Sequence, residues 1–311
     1  MDKRIVVFGS FVVDLTSRQK GLPKPGQTLL GSSFRMGAGG KGSNQAVAAH
    51  RAGADVTLVT KVGNDVFANV ALDFYRNECM RTDYILRDPM KETGVALILV
   101  DEESAQNEIV VVSGACGNIT PDDVKRCSPL IKNASILLLQ LEINFDALYS
   151  IIDIAHRAGV TVVLNPAPAA AVADEIYSKI DIVTPNETEA QMLTGVEIRN
   201  EADARRAASV FHARGTKNVV ITLGEMGAFA SDGKMAELLP RIPVGAVDTT
   251  GAGDAFNGGF AMALSEGHNL FDAMRYGNVA GALSVTRMGT APSMPPRAEI
   301  DAMFAKYYHG N

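Results

Sequence analysis

The sequence predicts an α/β protein: a doubly wound, mostly parallel sheet flanked by helices, with a small second sheet projecting from it. Three observations carry that expectation. Short, continuously apolar runs alternate with segments of helical period along most of the 311 residues. Strands covered on both faces read this way, because neither face meets water. The runs and helices follow one another in strict succession, which requires right-handed crossovers between parallel strands. Finally, two β-rich stretches, 28–36 and 94–112, interrupt the alternation with no helix between them and their neighbours.

In chain order, buried strands are expected at residues 5–9, 56–62, 136–140, 160–164, 180–184 and 219–223. Residues 44–52 are Ala-rich and helical and stop at Gly53. Asp146 can cap a helix whose apolar positions Leu148, Ile151, Ile152 and Ala155 share one face, with Gly159 as its stop. Residues 201–214, followed by Gly215, repeat that grammar. Within the second β-rich stretch, Asp101-Glu102-Glu103-Ser104 reads as the polar turn of a hairpin. The expected organisation is a core of residues 1–14, 37–92 and 114–311, and a small discontinuous sheet of 15–36 and 93–113. Extra edge strands on the main sheet are the alternative.

Composition excludes several classes of function. Hydrophobic residues make up 47% and charged residues 21%, the balance of a soluble globular protein. With no Trp and 6% aromatics, platforms for stacking nucleic-acid bases are not expected. A net charge of -6 opposes a broad phosphate-backbone or anionic-membrane footprint. Cys79, Cys116 and Cys127 form no CxxC pair, and His50, His156, His212, His268 and His309 show no metal-ligand spacing. No apolar run approaches the length of a membrane span, and the run after Met1-Asp2-Lys3-Arg4 is too short for a signal segment. A cytoplasmic protein with reduced thiols is the expectation.

Two glycine-rich runs carry the chemistry. In Gly37-Ala38-Gly39-Gly40-Lys41-Gly42-Ser43-Asn44-Gln45-Ala46 the glycines let the backbone approach a ligand at the start of a helix. The Gly37-x-Gly39-x-x-Gly42 spacing matches a dinucleotide fingerprint, but the next strand closes on Lys61 where ribose binding wants a carboxylate. A P-loop reading fails too, since Gly42 follows Lys41 where Ser or Thr must ligate magnesium. A loop against a small polyhydroxylated ligand remains, with tight packing alone as the plainer reading. The second run is Asp248-Thr249-Thr250-Gly251-Ala252-Gly253-Asp254, leading into Ala255-Phe256-Asn257-Gly258-Gly259-Phe260. Its amides suit the spread charge of a phosphoryl group in flight, and Asp254 can accept the proton of an attacking hydroxyl. An ordinary helix-start aspartate is the other reading.

These runs, together with Thr184-Pro185-Asn186-Glu187-Thr188-Glu189 between them, resemble the signatures of the ribokinase (PfkB) family of carbohydrate kinases. They stand in the family's order and separation, and the likeness extends through nearly the whole chain. Within the family the chain is most similar to ribokinases and deoxyribokinases. The resemblance implies a ribokinase-like core whose small β sheet is a lid over the sugar, pairing with a second subunit's lid in a homodimer. It implies ATP and a small sugar as substrates, with neither nucleic acid nor membrane as partner. Asp254 would be the base, with Gly251, Ala252 and Gly253 as the anion hole. Val12, Asp14, Gly40, Lys41, Asn44 and Glu142 match sugar-contacting positions. Asn186, Thr222, Gly224, Gly227, Gly253 and Asn278 match nucleotide-contacting ones. Glu189 would help order Mg2+ on the ATP phosphates, or else be a plain helix-face glutamate. Asp248, Thr250, Ser284, Arg287, Gly289 and Ser293 match the positions that hold K+ or another monovalent cation.

One departure stands out. The first substrate loop of ribokinases reads Gly-Ser-x-Asn-x-Asp, whereas this chain has Gly9-Ser10-Phe11-Val12-Val13-Asp14. Val12 offers no hydrogen bond, and deoxyribokinases resemble the chain in having an apolar residue there. The 5-hydroxyl of ribose is therefore the first expected acceptor and that of 2-deoxyribose the second. Purine nucleosides and phosphorylated hexoses, acceptors elsewhere in the family, would want an aromatic slot or an Arg cluster that is not identifiable. A non-catalytic sensor would have no need of Asp254, and an NAD-dependent dehydrogenase on residues 37–42 is the remote alternative.

Overall fold

The computed structural model describes residues 3–104 and 106–308; His309 lies outside them. The chain begins with β1 (Ile5–Phe8), β2 (Val12–Gln19), β3 (Ser33–Gly39), α1 (Lys41–Arg51), β4 (Val56–Val62), α2 (Val66–Asn77) and β5 (Ile85–Arg87). It continues through β6 (Thr93–Asp101), β7 (Asn107–Gly114), α3 (Pro121–Lys132), β8 (Ile136–Leu139), α4 (Phe145–Arg157), β9 (Thr161–Leu164), α5 (Asp174–Tyr177) and β10 (Ile182–Val183). Then come α6 (Glu187–Thr194), α7 (Glu201–Ala213), β11 (Asn218–Thr222), β12 (Ala228–Ser231) and β13 (Ala236–Leu239). The last three helices are α8 (Ala252–Ser265), α9 (Leu270–Ser284) and α10 (Arg297–Tyr308).

Among the described residues the strands form two sheets. The larger has nine in the order β13-β12-β11-β10-β9-β8-β1-β4-β5, parallel from β5 to β11 and antiparallel over β12 and β13. Its central strands are apolar on both sides for the reason expected. Ile5 and Val7 face a cluster with α1, α8 and α9, while Val6 and Phe8 face another with α3, α4 and α7. The smaller sheet has the order β3-β2-β6-β7 and is separate, so the β-rich stretches are not extra edges of the main sheet.

Differences from the sequence reading are local. The segment 12–19 is a strand that the apolar pattern does not mark, and of 28–36 only the part from Ser33 onward is strand. Residues 12–14 and 37–39, which the pattern left with the core, are the inner ends of β2 and β3, with Val12 opposite Gly39 and Asp14 opposite Gly37. The helix expected from 44 starts at Lys41, because Gly40, at φ 91°, already turns the chain into it. Asp146 does not cap α4. Asn144 occupies that position and Asp146 sits in the first turn, where its charge still favours the helix end. Gly159 and Gly215 do end their helices, at φ 73° and 104°.

Candidate active site

The site lies beyond the carboxyl ends of the parallel strands, where such sheets bind ligands. Its first wall is built by close backbone approach. A Cβ on Gly42 would fall 2.6 Å from the carbonyl carbon of Gly9, and one on Gly39 would fall 2.0 Å from Asp14 Oδ1. These glycines thus let α1 press against the loop after β1 and β3 press against Asp14 of β2. Ser43 N donates to Ser10 O at 2.8 Å, and Glu142 closes the start of α1 by accepting from Lys41 N at 2.9 Å and from the Ser10 hydroxyl. Gly37 and Gly39 lie in an antiparallel strand, not in a strand-to-helix turn of the main sheet, which removes the dinucleotide reading.

The second wall is the turn into α8. Gly251, at φ 80°, lets the chain double back so that the helix N-terminus faces the cleft. Here the structure adjusts the expected anion hole. Ala252 N already donates to Thr249 O at 3.2 Å, which leaves the amides of Gly251, Gly253 and Asp254 as the donors with no protein partner among the described residues. A cavity of about 160 Å3 opens on them, also lined by Lys41, Asn186, Glu189 and Thr222.

Asp254 is buried and, among the described residues, in no ion pair. It accepts from Asn44 Nδ2 at 3.0 Å and from Gln45 Nε2 at 2.9 Å. Burial pushes its pKa up, against the pull of Lys41 and of those two amides. Burial likewise works against the Lys41 ammonium, but Asp254, Glu142 and Glu189 outweigh it and hold the pKa above the usual value. Asp14 sits across the cleft, its Oδ2 3.5 Å from Thr290 Oγ1. Burial, with Glu142 and Asp254 nearby, raises its pKa to about 6. Val12 lies two residues before Asp14 on the same face of β2, buried against Gly94.

The nucleotide positions divide into two groups. Asn186 and Glu189 form the capping box of α6: Asn186 Oδ1 accepts from Glu189 N at 2.8 Å, and Glu189 Oε2 from Asn186 N at 2.9 Å. Glu189 is therefore not a plain helix-face residue; it is buried, which raises its pKa against the pull of the Asn186 amide and Lys41. Thr222 bridges to Asn186 beside it. Gly224, Gly227 and Asn278 lie outside that cavity. Gly227 permits close passage of the β13 end, since a Cβ there would fall 2.0 Å from Leu239 O. Asn278 donates to Pro240 O at 3.0 Å and to Tyr308 Oη at 3.1 Å, so its amide braces the adjoining chain.

Of the expected cation positions, Asp248, Thr250 and Gly289 are joined directly by hydrogen bonds. Asp248 accepts from Thr250 N and Gly289 N, both at 2.9 Å, tying the two loops together. Ser284 O accepts from Arg287 N at 3.1 Å, Ser293 Oγ donates to Thr290 O at 2.7 Å, and the Arg287 guanidinium pairs with Glu299. The oxygens here are one carboxylate with carbonyls and a hydroxyl, hard donors that suit an alkali-metal ion better than a thiophilic one. Among the described residues no cluster of three His, Cys, Asp or Glu side chains could hold a metal.

The motif reading passed over several polar residues. Ser10, Gln45, Asn165, Thr184 and Asn257 are all buried here, and Thr290 reaches Asp14. Ser10, Gln45 and Asn257 stand inside or beside the quoted runs, and Asn165 and Thr184 each follow the end of a parallel strand. That placement was the available signal.

Comparison with known proteins agrees with this architecture. Residues 2–297 match the family described as pfkB family carbohydrate kinase. A ribokinase of Haemophilus influenzae is 42% identical over 299 residues, covering 96% of this chain and 97% of its own. A deoxyribokinase of Salmonella typhi is 38% identical over 292 residues, 94% of this chain and 95% of its own. The solved structure of Arabidopsis thaliana ribokinase complexed with ribose and ATP has a TM-score of 0.90 at 30% identity, covering 97% of this chain and 99% of that one.

Proposed function

The chain belongs to the pfkB family of carbohydrate kinases, phosphotransferases with an alcohol acceptor, and from that premise we propose that it transfers the γ-phosphoryl group of ATP to the 5-hydroxyl of ribose. The observation that carries this reading is a buried carboxylate, Asp254, next to the unpartnered amides of Gly251 and Gly253, with Lys41 lining the same cavity. The acceptor oxygen bonds to the γ-phosphorus as the bond to the β–γ bridging oxygen breaks, and ADP leaves. Asp254 takes the hydroxyl proton; the raised pKa brings the group nearer to neutrality, where a base both accepts and releases a proton. The free amides and Lys41 meet the charge on the equatorial oxygens. Asp14 accepts from sugar hydroxyls across the cleft, with Asn44, Gly40 and Glu142 completing that wall.

Glu142, Glu189 and Asp254 act on Lys41 together, with Asp14 across the cleft, so the ATP phosphates need a further counter-charge. Mg2+ on those phosphates supplies it, and Glu189 would help order the ion. Asp248, Thr250, Ser284, Arg287, Gly289 and Ser293 would hold K+ or a similar ion, mostly through main-chain oxygens, and so fix the shape of the anion-hole loops. Among the described residues no helix is long and apolar enough to cross a membrane. β7, an edge strand, exposes Ile109, Val110, Val111 and Val112, and a second copy pairing lid to lid would cover it.

Val12 favours a second reading, 2-deoxyribose, because an apolar side chain on the Asp14 face tolerates a missing hydroxyl. ADP release measured over ribose, 2-deoxyribose, nucleosides and hexose phosphates, with and without K+, tests both. Ribose-dependent release stimulated by K+ is expected; release with hexose phosphates or nucleosides alone would contradict the reading. Val12→Asn should raise kcat/KM for ribose relative to 2-deoxyribose about two- to tenfold, the worth of one neutral hydrogen bond.

A further inference from the structure

Gln45 is a wholly buried carboxamide on α1 with all of its polar atoms engaged. Its Nε2 donates to Asp254 Oδ1 and to Asn165 Oδ1, both at 2.9 Å, and its Oε1 accepts from Gln140 Nε2 at 2.6 Å. The direction of this chain is fixed at its far end. Asn165 Nδ2 donates to the carbonyl of Thr184 at 2.8 Å, and a carbonyl can only accept. Asn165 Oδ1 must therefore face Gln45, and Gln45 must present its N–H groups, not its oxygen, to Asp254. Beyond Thr184 the chain closes on the catalytic turn: Thr184 Oγ1 donates to Asn257 Oδ1 at 2.6 Å, and Asn257 Nδ2 to Gly253 O at 2.8 Å. The other oxygen of Asp254 meets Asn44, whose own Oδ1 is buried without a partner and awaits a donor.

We propose that Gln45 is a positioning residue for the base: it holds Asp254 through Oδ1, so that Oδ2, on the Asn44 side, is the oxygen turned to the acceptor hydroxyl. The role rests on the kinase reading above. Gln45 touches neither substrate nor reacting atoms; it acts through Asp254. Its hydrogen bond also favours the ionised carboxylate, as Lys41 and Asn44 do, against burial and the neighbouring charges of Asp14 and Glu189.

Two readouts test it. In Gln45→Met, kcat with ribose should fall about ten- to a hundredfold, the worth of a hydrogen bond to a charged, positioned group. KM for ribose should change little, and the acid limb of the kcat profile should move to higher pH. Independently of turnover, the Asp254 carboxyl carbon, assigned by 13C NMR against Asp254→Asn, should titrate at higher pH in Gln45→Met than in the unaltered protein. Gln140→Met leaves the Gln45 side chain in place but removes the donor to its Oε1; it should show the same changes in smaller degree, and it serves if Gln45→Met does not fold. A lower melting temperature with kcat, its pH profile and the Asp254 titration unmoved would mean a merely structural role and overturn the proposal. If the unaltered protein shows no sugar-dependent ADP release, the kinase reading fails, and the NMR titration alone decides for or against Gln45.

Discussion

Two lysines on either side of the same β-α-β unit, Lys41 and Lys61, are drawn into the protein among carboxylates and end in opposite states. Lys61 Nζ pairs with Asp123 at 2.7 Å and Asp88 at 3.1 Å and donates to Asn118 O at 2.8 Å. Burial works to raise the Asp88 pKa, yet the amides of Met90 and Lys91, the Asn118 side chain and Lys61 hold it at about 2. The carboxylates around Lys41 are the reverse case. Among the described residues none lies within ion-pair distance of its ammonium, and Asp254 and Glu189, like Asp14 across the cleft, have raised pKa values, each mainly from burial. A cluster whose charges are fully paired is a brace. A cluster whose charges are buried and unpaired is under tension that a ligand can relieve, and that places the chemistry at Lys41 and not at Lys61.

Substitution at each lysine can break this contrast. Lys61→Met leaves Asp88 and Asp123 buried without their cation and should cost about 3–5 kcal/mol of stability, read as a lower denaturation midpoint. Turnover of the protein still folded should stay within about threefold, because no contact to the site is lost. Lys41→Met should do the opposite, lowering kcat about ten- to a hundredfold while the denaturation midpoint moves far less. Equal effects of the two substitutions on stability would remove the distinction.

Acid sharpens the same contrast. Asp88, held at about 2, contributes stability that is present above the ordinary carboxylate range and lost only as pH falls through 2. Asp14, raised to about 6, has the other sign: its contribution to the fold is present at low pH and lost as pH rises through 6. Its ionised form is the one that accepts from two sugar hydroxyls. kcat/KM for the sugar should therefore fall below pH 6, by about tenfold per unit once the group is protonated, while the fold persists. A flat profile down to pH 5 would take Asp14 out of sugar binding.

Much of this was legible in the sequence because it is local. The strands at 5–9, 136–140 and 219–223 show as nearly continuous apolar runs, since both faces are covered, and 56–62 does so around Thr57, Thr60 and Lys61. Both glycine runs are contiguous, so the start of α1 and the turn into α8 can be read directly. β2 was not legible: from Asp14 to Arg18 it is half-buried and, Leu15 apart, polar, and only its pairing with β3 and β6 makes it a strand. Hydrogen-bond direction was hidden as well. That Ala252 N turns back to Thr249, and that Asn278 braces Pro240, depends on turn geometry that residue type does not encode. Gln140 and Asn165 reach Asp254 through Gln45, and Thr184 reaches the Gly253 carbonyl through Asn257, because the sheet order puts the ends of β8, β9 and β10 side by side. Lys61 shows the same limit from the other side. Its charge argued against a dinucleotide site, but its partners Asp88 and Asp123 could be found only in three dimensions.

The most direct measurement is phosphoryl transfer from ATP to ribose in a single turnover, made on the unaltered protein and on Asp254→Asn with sugar and nucleotide binding followed in parallel. The account predicts a rate at least about a hundredfold lower in the variant with both ligands still bound. A rate near that of the unaltered protein would show that the buried carboxylate at the start of α8 is not the base.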